Sequence, residues 1–431
     1  MRKRRVLPIE SVHIDKLVHG GQGMGILADG RKCFVWGALP NEDVRVQLTK
    51  RKKDWAEGVV EEIITASNDR IPPKEPDIYL ATSPWQILHY KKEAIAKQAI
   101  LEETYVREGV DVSWQPFYQQ ANPYHYRNKM EYNFWYDNDS QQVSLALHKR
   151  GSHQKIAVTG SALASETINK AGAELIAYIN AHAIQARPLK SVIIRSTATG
   201  ICGATIFVND KNVAKMFDNY KPANTIVEIV YSNPNSPASI STEVVTPAEQ
   251  QLSDTLLGNT FSYSARSFFQ VNVPVYEKLL QIVKGFVQKN SLLHILDLYS
   301  GVGSLGLSVL GKSQQLTMVE IDDLSCELAQ QNSRIVKNSA VVLATAENSL
   351  HYITGQELVI VDPPRAGLHK DVVARLIETK PATILYVSCN PSTQARDVKA
   401  LIEVGYTIHY AQGFNFFPRT PHIESFVVLN R

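Results

Sequence analysis

The sequence predicts a multidomain fold with an N-terminal OB-like β-barrel, a central α+β domain and a C-terminal α/β domain of the Rossmann-like class. Three patterns predict these parts. In residues 1–66, short β-like segments alternate with glycine and proline turns. In residues 67–262, β-like stretches accompany one clear helix, and in residues 263–431 strands and helices alternate. A chain of 431 residues accommodates two to four domains of the usual size of about 100–200 residues.

The composition is that of an ordinary globular protein, with 44% hydrophobic and 20% charged residues. No window approaches the roughly 18 uninterrupted apolar residues of a membrane span, and the basic start MRKRRVLPIE lacks the apolar core of a signal peptide. We therefore expect a cytoplasmic monomer without a membrane partner. The cysteines at positions 33, 202, 326 and 389 are scattered without a CxxC pair, so neither a disulfide framework nor a zinc site is expected.

Basic residues are concentrated in the barrel segment, where residues 1–60 hold 12 Lys/Arg against 7 Asp/Glu. Two runs, residues 2–5 and 50–53, consist only of lysine and arginine. Such runs are either solvated surface or part of a polyanion-binding site. Between them, β-like patterns cover residues 12–17, 32–36, 43–48 and 57–64, and the GGQGMG run at 20–25 is interpreted as a hairpin bend because it lacks a P-loop lysine and precedes no helix.

This segment resembles a TRAM domain, an RNA-binding barrel found in some RNA-modifying enzymes. The resemblance rests on the opening strand at 9–17, the GGQGMG turn, the VWGALPNE stretch at 35–42 and the basic strand after it. It implies a basic groove with aromatic platforms for RNA bases. Trp36 and Trp55 are the candidates, although burial in the small core is the favoured interpretation for Trp36.

The middle of the chain predicts an α+β domain with an antiparallel sheet. A proline-rich connector at 69–83 precedes a helix at 90–108. A second helix is predicted at 165–179, and a basic turn at 149–153 is a weak candidate for a phosphate contact. The predicted strands are 131–136, 143–147, 191–195, 204–208 and 225–231.

The α/β pattern carries a ligand-binding signature. A strand at 295–299 runs into a glycine-rich turn at 300–306, and the next strand, at 315–321, carries Glu320 near its end, 23 residues after Asp297. An acid in that place accepts hydrogen bonds from ribose hydroxyls, which both NAD and S-adenosylmethionine carry. The Asp-Pro-Pro loop at 362–368, after the fourth strand, is typical of methyltransferases that act on nucleobases or amide nitrogens, with a structural turn as the alternative. Together these features favour S-adenosylmethionine.

Cys389 is the candidate nucleophile. It follows an apolar strand at 384–387, and the Asn390-Pro391 pair ends that strand and begins a loop. Ligands of open α/β sheets bind at the carboxyl ends of strands, so this side chain is expected to face the cleft. A buried structural thiol is the alternative.

Five motifs together resemble the RNA 5-methyluridine methyltransferase family, over nearly the whole chain: FxQxN at 268–272, DLYSGVG at 297–303, DPPRAGL at 362–368, SCNP at 388–391 and HIES at 422–425. The resemblance implies that Cys389 is the nucleophile and Glu424 the base, and that residues 91–123 pack against the catalytic domain. It also implies that Phe268, Asp362 and Arg365 hold the target base, although core packing is equally favoured for Phe268. The implied cofactor residues, for S-adenosylmethionine, are Gln270, Tyr299, Gly301, Ser304, Glu320, Asn348 and Asp362.

The chemistry explains these residue types. Carbon 5 of uracil becomes nucleophilic only after a thiolate has added to carbon 6, and a carboxylate must then remove the carbon 5 proton. We expect the site either to lower the thiol pKa or to remove the thiol proton during attack. Asp362 is expected to hydrogen-bond the uracil N3–H. A uridine in a loop, or one flipped out of its helix, is required for access to carbon 6.

One departure from the family pattern concerns iron. Many relatives with a TRAM domain hold an iron–sulfur cluster on four cysteines, but the corresponding stretches at 76–86 and 158–163 contain none. Because a cluster requires thiolate ligands, we expect neither a cluster nor any other metal.

The favoured partner is 23S ribosomal RNA, because the TRAM domain is more typical of the rRNA branch, and a tRNA T-loop uridine is second. Two hypotheses from other classes are methylation of a protein or small molecule, and an RNA-binding or RNA-folding module without catalysis. The first leaves the basic barrel unexplained. The second leaves the intact Cys389 and Glu424 pair unexplained.

Overall fold

The computed structural model describes residues 7–138, 140–150, 154–236, 243–290, 292–334 and 336–431. The basic run at 2–5 and residues 151–153 of the basic turn lie outside these ranges. Within them, no helix combines the length and apolarity needed to cross a bilayer.

Five strands form a closed N-terminal barrel in the order β1-β2-β3-β5-β4. The strands are β1 (Ile9–Leu17), β2 (Gly23–Ile26), β3 (Lys32–Trp36), β4 (Asp43–Arg51) and β5 (Trp55–Thr65). Alternating residues such as Cys33, Val35, Val44 and Val46 fill its core. The barrel prediction is confirmed.

The hairpin bend expected at the glycine run is present between β1 and β2, but it covers only part of the run. Only Gly20 and Gly21 form the turn, because Gly23 and Gly25 belong to β2 and pair with β1. A Cβ atom at Gly25 would lie 1.8 Å from the His13 carbonyl oxygen, so the bare backbone is what lets the two strands approach.

The expectation that Trp36 packs in the barrel core was wrong. Cys33 and Val35 point inward along β3, so Trp36 points outward, where the Arg150 guanidinium covers its ring at 4.1 Å. Arg150 also donates to the Leu80 carbonyl. This residue of the basic turn therefore contacts the barrel and the connector.

The connector contains a four-residue helix, α1 (Tyr79–Thr82), a 3-10 turn at Pro84–Ile87 and then α2 (Tyr90–Glu108), which begins and ends where the sequence predicts. Gly109 ends α2 in the left-handed conformation, with φ of +79°. The next strand, β6 (Gln115–Tyr118), follows α2 and pairs with the edge of the C-terminal sheet.

The middle sheet has seven strands in the order β13-β12-β11-β10-β7-β8-β9, with α3 (Glu166–Ala181) packed on it. Its expected antiparallel character is only partly correct, because β11 and β12 are parallel. The 3-10 turn at Lys211–Phe217 carries the chain back, so that β12 enters in the direction of β11. The strands are β7 (Lys129–Asp137), β8 (Gln142–His148), β9 (Lys155–Val158), β10 (Leu189–Ser196), β11 (Cys202–Val208), β12 (Thr225–Tyr231) and β13 (Glu243–Thr246).

A hairpin of β14 (Leu252–Leu256) and β15 (Asn259–Tyr263) leads into the C-terminal part, and its side chains share a core with the helix that follows. The helices there are α4 (Val273–Lys289), α5 (Ser304–Val309), α6 (Asp323–Ser333), α7 (Lys370–Thr379) and α8 (Pro391–Ile402). The strands are β16 (His294–Leu298), β17 (Gln315–Glu320), β18 (Ser339–Leu343), β19 (Leu358–Val361), β20 (Thr383–Ser388), β21 (Thr407–Phe414) and β22 (Glu424–Asn430).

The C-terminal sheet has eight strands in the order β18-β17-β16-β19-β20-β22-β21-β6. The first five are parallel to one another, whereas β22 runs antiparallel to both β20 and β21. Apolar residues of β16, β19 and β20 are fully buried. This is the near-continuous apolar pattern of strands covered on both faces.

The barrel docks on the C-terminal part through its glycine turn. The Trp85 indole N–H donates to the Gly21 carbonyl at 3.0 Å. A Cβ atom at Gly21 would lie 2.4 Å from Pro421 Cβ, so the glycine allows close contact with the loop that precedes Glu424.

Gly21→Ala should therefore weaken this docking. The left-handed φ of +96° alone makes alanine unfavourable by about 1–2 kcal/mol, and the clash with Pro421 should add roughly 1–3 kcal/mol. Gly20→Ala is the matched control, because Gly20 has a φ of +98° but nothing within 4 Å of its Cβ position. Thermal unfolding should show the larger loss for Gly21→Ala; equal losses would mean that the Pro421 contact contributes nothing.

Candidate active site

Five of the predicted site residues meet at one edge of the C-terminal sheet. Tyr299, Asp362 and Cys389 directly follow β16, β19 and β20, and Glu320 ends β17. Glu424 begins the antiparallel β22, whose amino end lies at the same edge. Open α/β sheets bind ligands at this edge.

The glycine turn between β16 and α5 is fixed by Glu320. The Gly301 N–H donates to Glu320 Oε2 at 2.7 Å, and the N–H groups of Ile321 and Asp322 donate to Oε1. Gly301 and Gly303 both have positive φ, of +56° and +81°. The Glu320 carboxylate is therefore held beside the turn.

Asp297 is a site residue that sequence reasoning used only to measure spacing. It is fully buried, and its Oδ2 accepts from the Gly306 N–H at 3.0 Å, whereas its Oδ1 has no hydrogen-bond partner among the described residues. Burial, helped by the charges of Asp362 and Glu320, raises its pKa to about 8. Its position immediately before the glycine turn was the available signal.

A cavity lies over the turn. Six predicted residues and four others line it. The Tyr276 hydroxyl and Ser304 Oγ, both in the lining, share a hydrogen bond of 3.0 Å. The predicted lining residues are Phe268, Gln270, Tyr299, Gly301, Ser304 and Asp362; the others are Tyr276, Ser300, Val302 and Leu305. A carboxylate beside a glycine turn, an unpartnered buried Asp297 oxygen and an aromatic rim fit a ligand with a ribose and a polar chain.

Phe268 lies at the mouth of this cavity. Its side chain is 61% exposed, so the core-packing alternative was wrong. Its neighbour Phe269 is the buried ring, stacked on Tyr263 at 4.3 Å. An exposed ring over the glycine turn is available to stack on a planar ligand.

Of the predicted residues Tyr299 and Asn348, the first lines the cavity and the second does not. Tyr299 lines the cavity with a backbone φ of +64°, a conformation that a non-glycine residue adopts only when its surroundings hold it there. Asn348 is exposed in the short 3-10 turn Ala346–Asn348 and does not line the cavity.

The register of β20 and β22 brings Cys389 and Glu424 together. Ser388 pairs with Ser425, so the next residue of one strand faces the preceding residue of the other. Cys389 is half-buried and Glu424 is 3% exposed. The expected loop after Cys389 is very short, because Asn390 caps α8 by accepting from the Ser392 N–H.

These acidic groups strongly affect one another. Burial, then the charges of Glu424 and Asp362, raises the pKa of the Cys389 thiol to about 12, whereas Arg365 opposes the shift. Burial and the charge of Asp362 hold the pKa of Glu424 well above its usual range, again opposed by Arg365. Burial raises the pKa of Asp362 as well. A lowered thiol pKa in the free protein, one of the two options expected above, is therefore wrong.

The backbone of Arg365 is tied to the start of α8. Asn390 Nδ2 and Thr393 Oγ1 both donate to the Arg365 carbonyl, at 2.8 and 3.3 Å. The guanidinium lies 3.5 Å from Nδ1 of His422. Burial and the charge of Arg365 lower the pKa of His422 to about 4, so this ring is neutral at pH 7. Asn390 and His422 lie in the SCNP and HIES motifs, but sequence reasoning gave neither a role.

Glu75, just before the cysteine-free stretch at 76–86, links that stretch to the one at 158–163. The Glu75 carboxylate accepts from the Ala162 N–H at 2.8 Å and from Gln86 Nε2 at 2.7 Å, and Gln86 also donates to Ser83 Oγ. In the described ranges, no group of three or more His, Cys, Asp and Glu side chains is arranged to hold a metal ion.

A groove separates the barrel from α2 and the start of α8. Phe34 and Trp55 project into it from the barrel, with ring centroids 6.3 Å apart. Lys16 and Arg107 flank Glu103, which pairs with both. Ser392, three residues after Cys389, lies at its far end. The full lining is Lys16, Val18, His19, Gln22, Met24, Lys32, Phe34, Trp55, Glu57, Ile100, Glu103, Thr104, Arg107 and Ser392.

Comparison with known proteins identifies a family and a fold. A sequence model of the family described as tRNA (Uracil-5-)-methyltransferase matches residues 89–431. An uncharacterized RNA methyltransferase of Lactiplantibacillus plantarum is 30% identical over 438 residues, covering 95% of each chain. One from Fusobacterium nucleatum is 26% identical over 454 residues, covering 99% of this chain and 97% of the other.

A solved structure shares nearly the whole fold. It is Pyrococcus abyssi tRNA (uracil-54, C5)-methyltransferase in complex with S-adenosyl-L-homocysteine, with a TM-score of 0.77 and 23% identity. The match covers 97% of this chain and 100% of that one.

Replacing Arg365 tests the electrostatics of the site. Because Arg365 opposes the rise in the pKa of Cys389, Arg365→Gln should raise that pKa further. The thiolate fraction should then fall at every pH below the pKa, about tenfold for each pKa unit. The alkylation rate of Cys389 by iodoacetamide, followed from pH 7 to 10, should fall accordingly. Cys389→Ala corrects for the other cysteines, and Arg375→Gln on α7 is a charge-matched control. An unchanged or faster rate for Arg365→Gln would contradict the assignment.

Proposed function

The chain belongs to the tRNA (uracil-5-)-methyltransferase family, and we propose that it converts a specific uridine of RNA to 5-methyluridine through a covalent bond between Cys389 and uracil carbon 6. The observation that carries this proposal is the pairing of β20 with β22, which sets a thiol beside a buried carboxylate at the ligand-binding edge. Asp362 and Arg365 belong to the adjacent loop.

In the reaction, Cys389 acts first as the nucleophile and last as the leaving group, and Glu424 acts as the base. Cys389 gives its proton to solvent water as its sulfur bonds to carbon 6, and the electrons of the C5–C6 double bond move toward the uracil oxygens. Carbon 5 then takes a methyl group. Glu424 removes the carbon 5 proton, the C5–C6 double bond re-forms, and the C6–S bond breaks to release Cys389. The raised pKa of Glu424 suits a base that must take a proton from carbon.

S-adenosylmethionine is the methyl donor and supplies the methyl group on a positively charged sulfur. We assign its binding to the cavity over the glycine turn. Glu320 is not among the lining residues but accepts from the N–H of the lining residue Gly301, and there it would accept from the ribose hydroxyls. Gln270, Tyr299, Gly301 and Ser304 complete the lining. Asn348, exposed outside this cavity, is left out of the proposed site.

The remaining residues serve the target base. Asp362 would hydrogen-bond the uracil N3–H, and Phe268 would stack on a ring held at the cavity mouth. Arg365 would stabilise negative charge on the uracil oxygens while favouring the thiolate of Cys389. The neutral His422 ring keeps Arg365 free of a carboxylate partner on that side.

RNA binding is assigned to the N-terminal barrel, in the TRAM-like role, together with the groove beside it. Phe34 and Trp55 offer stacking surfaces, and the exposed Lys32 lines the same groove and pairs with Trp55 across β3 and β5. In the basic run at 50–53, Lys50 pairs with Glu57 and Arg51 with Asp29, so part of its charge is already compensated. Lys16 and Arg107 of the groove are paired with Glu103 in the same way, but the groove also presents the Phe34 and Trp55 rings, so we favour it over that run as the RNA path.

We propose 23S ribosomal RNA as the substrate and a tRNA T-loop as the second candidate. The barrel supported the first choice, but the Pyrococcus abyssi structure matches this chain over the barrel as well and is named a tRNA (uracil-54, C5)-methyltransferase. That likeness favours the second candidate.

The substrate is tested by mapping 5-methyluridine in 23S rRNA and in tRNA from cells with and without the gene. Loss at one 23S position, restored by the wild-type gene but not by a Cys389→Ala copy, is the expected result. Loss in the tRNA T-loop would replace the rRNA assignment. An unchanged 5-methyluridine pattern in both RNAs would refute the proposed function.

Two variants test the mechanism. Cys389→Ala should reduce methyl transfer at least 10⁴-fold while RNA binding stays within about twofold, since only the covalent step is lost. Glu424→Gln should stop the reaction after methylation, so that a protein–RNA species carrying the labelled methyl group survives denaturing electrophoresis. Methyl transfer by Cys389→Ala near the wild-type rate would remove Cys389 from its role. Slow turnover without that species would remove Glu424 from its own.

A further inference from the structure

A cluster of buried charges joins α2 to the loop that ends at Glu424. This loop, residues 415–423, connects β21 to β22 and is here called the base loop. Glu93 and Lys97 of α2 are fully buried, and Arg419 of the base loop is 1% exposed. Charged groups are rarely buried so completely without a specific arrangement of partners.

We propose that Glu93 is a positioning residue for the base: its carboxylate fixes the base loop and thereby aims Glu424 at uracil carbon 5. This inference rests on the proposed function, in which Glu424 removes the carbon 5 proton. Glu93 itself touches neither substrate nor cofactor in this assignment.

Glu93 holds both ends of the Asn415 to Arg419 segment. Its Oε1 accepts from Asn415 Nδ2 at 2.9 Å, at the point where β21 ends. Both carboxylate oxygens accept from the Arg419 backbone N–H at 3.0 Å, and Oε2 also accepts from Arg419 Nη1 at 3.2 Å. One carboxylate therefore fixes the loop near its start and near its middle.

Arg419 requires this support. Its backbone φ is +65°, in the left-handed region that non-glycine residues seldom adopt, and it lies five residues before Glu424. The Trp85 backbone N–H donates to the Arg419 carbonyl at 3.1 Å, so the peptide groups on both sides of Arg419 are held from outside the loop. The direction in which the chain leaves Arg419 determines where β22 begins.

Lys97 completes the cluster. Its ammonium lies 3.0 Å from Glu93 Oε1 and donates to Asn415 Oδ1 at 2.6 Å and to the Phe417 carbonyl at 3.1 Å. Asn272 and Tyr126 donate to the next carbonyls, those of Phe416 and Pro418. The base loop is thus anchored from several elements, and Glu93 is the anchor that contributes a carboxylate.

The nucleophile has supports that do not pass through the base loop. Cys389 follows β20, which pairs with β19, and Asn390 starts α8 directly after it. Loss of the Glu93 carboxylate should therefore disturb Glu424 more than Cys389. That difference separates a positioning role from a general loss of structure.

The test compares two steps in Glu93→Gln. A fluorine at carbon 5 cannot leave as a cation, so a 5-fluorouridine transcript stops at the methylated adduct whether or not the base works. On a transcript spanning the mapped uridine, Glu93→Gln should form the fluorinated adduct within about twofold of the wild-type rate. On the uridine transcript its turnover should fall about 10- to 100-fold, the size expected for a displacement near 1 Å, with the covalent adduct accumulating.

Two controls frame the result. Glu102→Gln changes an exposed carboxylate of the same helix and should alter neither step. If Glu93→Gln does not fold, Asn415→Ala removes one of its loop contacts and is expected to show the same split between the two steps.

Each outcome has one interpretation. Wild-type turnover in the folded variant, or equal slowing of both steps, would overturn the positioning role. Failure of Glu424→Gln to accumulate adduct would overturn the proposed base itself. Accumulation in Glu424→Gln but not in Glu93→Gln or Asn415→Ala would leave the proposed function intact and remove only this inference.

Discussion

The antiparallel insertion of β22 between β20 and β21 is the constraint on which the site depends. A purely parallel sheet gathers side chains only from the carboxyl ends of its strands. Reversing one strand brings an amino end to the same edge, so that Glu424 reaches Cys389 from the opposite chain direction. The reversal also creates the base loop, and the two residues that flank this loop, Phe414 and Glu424, pair with each other.

This arrangement concentrates acidic groups in a half-closed space. Asp297, Asp362, Glu424 and the Cys389 thiol all have raised pKa values, and Arg365 is the cation that opposes two of those shifts. In the free protein the site therefore holds protons where the reaction needs anions. A substrate that brings hydrogen-bond donors and a positively charged donor molecule would reverse that balance, because both stabilise the anionic forms.

Much of the fold could be predicted from the sequence because its strands are short, apolar and bounded by turn residues. The α2 boundaries and the strands around the glycine turn follow from local periodicity, and Cys389 and Asp362 stand out at strand ends. The sequence does not predict the outward position of Trp36, the burial of Glu93 or the parallel pairing of β11 with β12, because these features depend on partners distant in the chain. Glu93 reads as one more surface acid on a charged helix, and only its contacts with Asn415 and Arg419, more than 320 residues away, reveal its burial.

The contact of Gly21 with Pro421 limits how this protein can evolve. A small barrel at one end of a chain is usually regarded as a module that can be exchanged between proteins. Here the barrel turn is fitted to a proline three residues from Glu424, so a replacement barrel must present a bare backbone at that point or be accompanied by a change at position 421. The barrel and the base loop are therefore expected to vary as a pair among relatives.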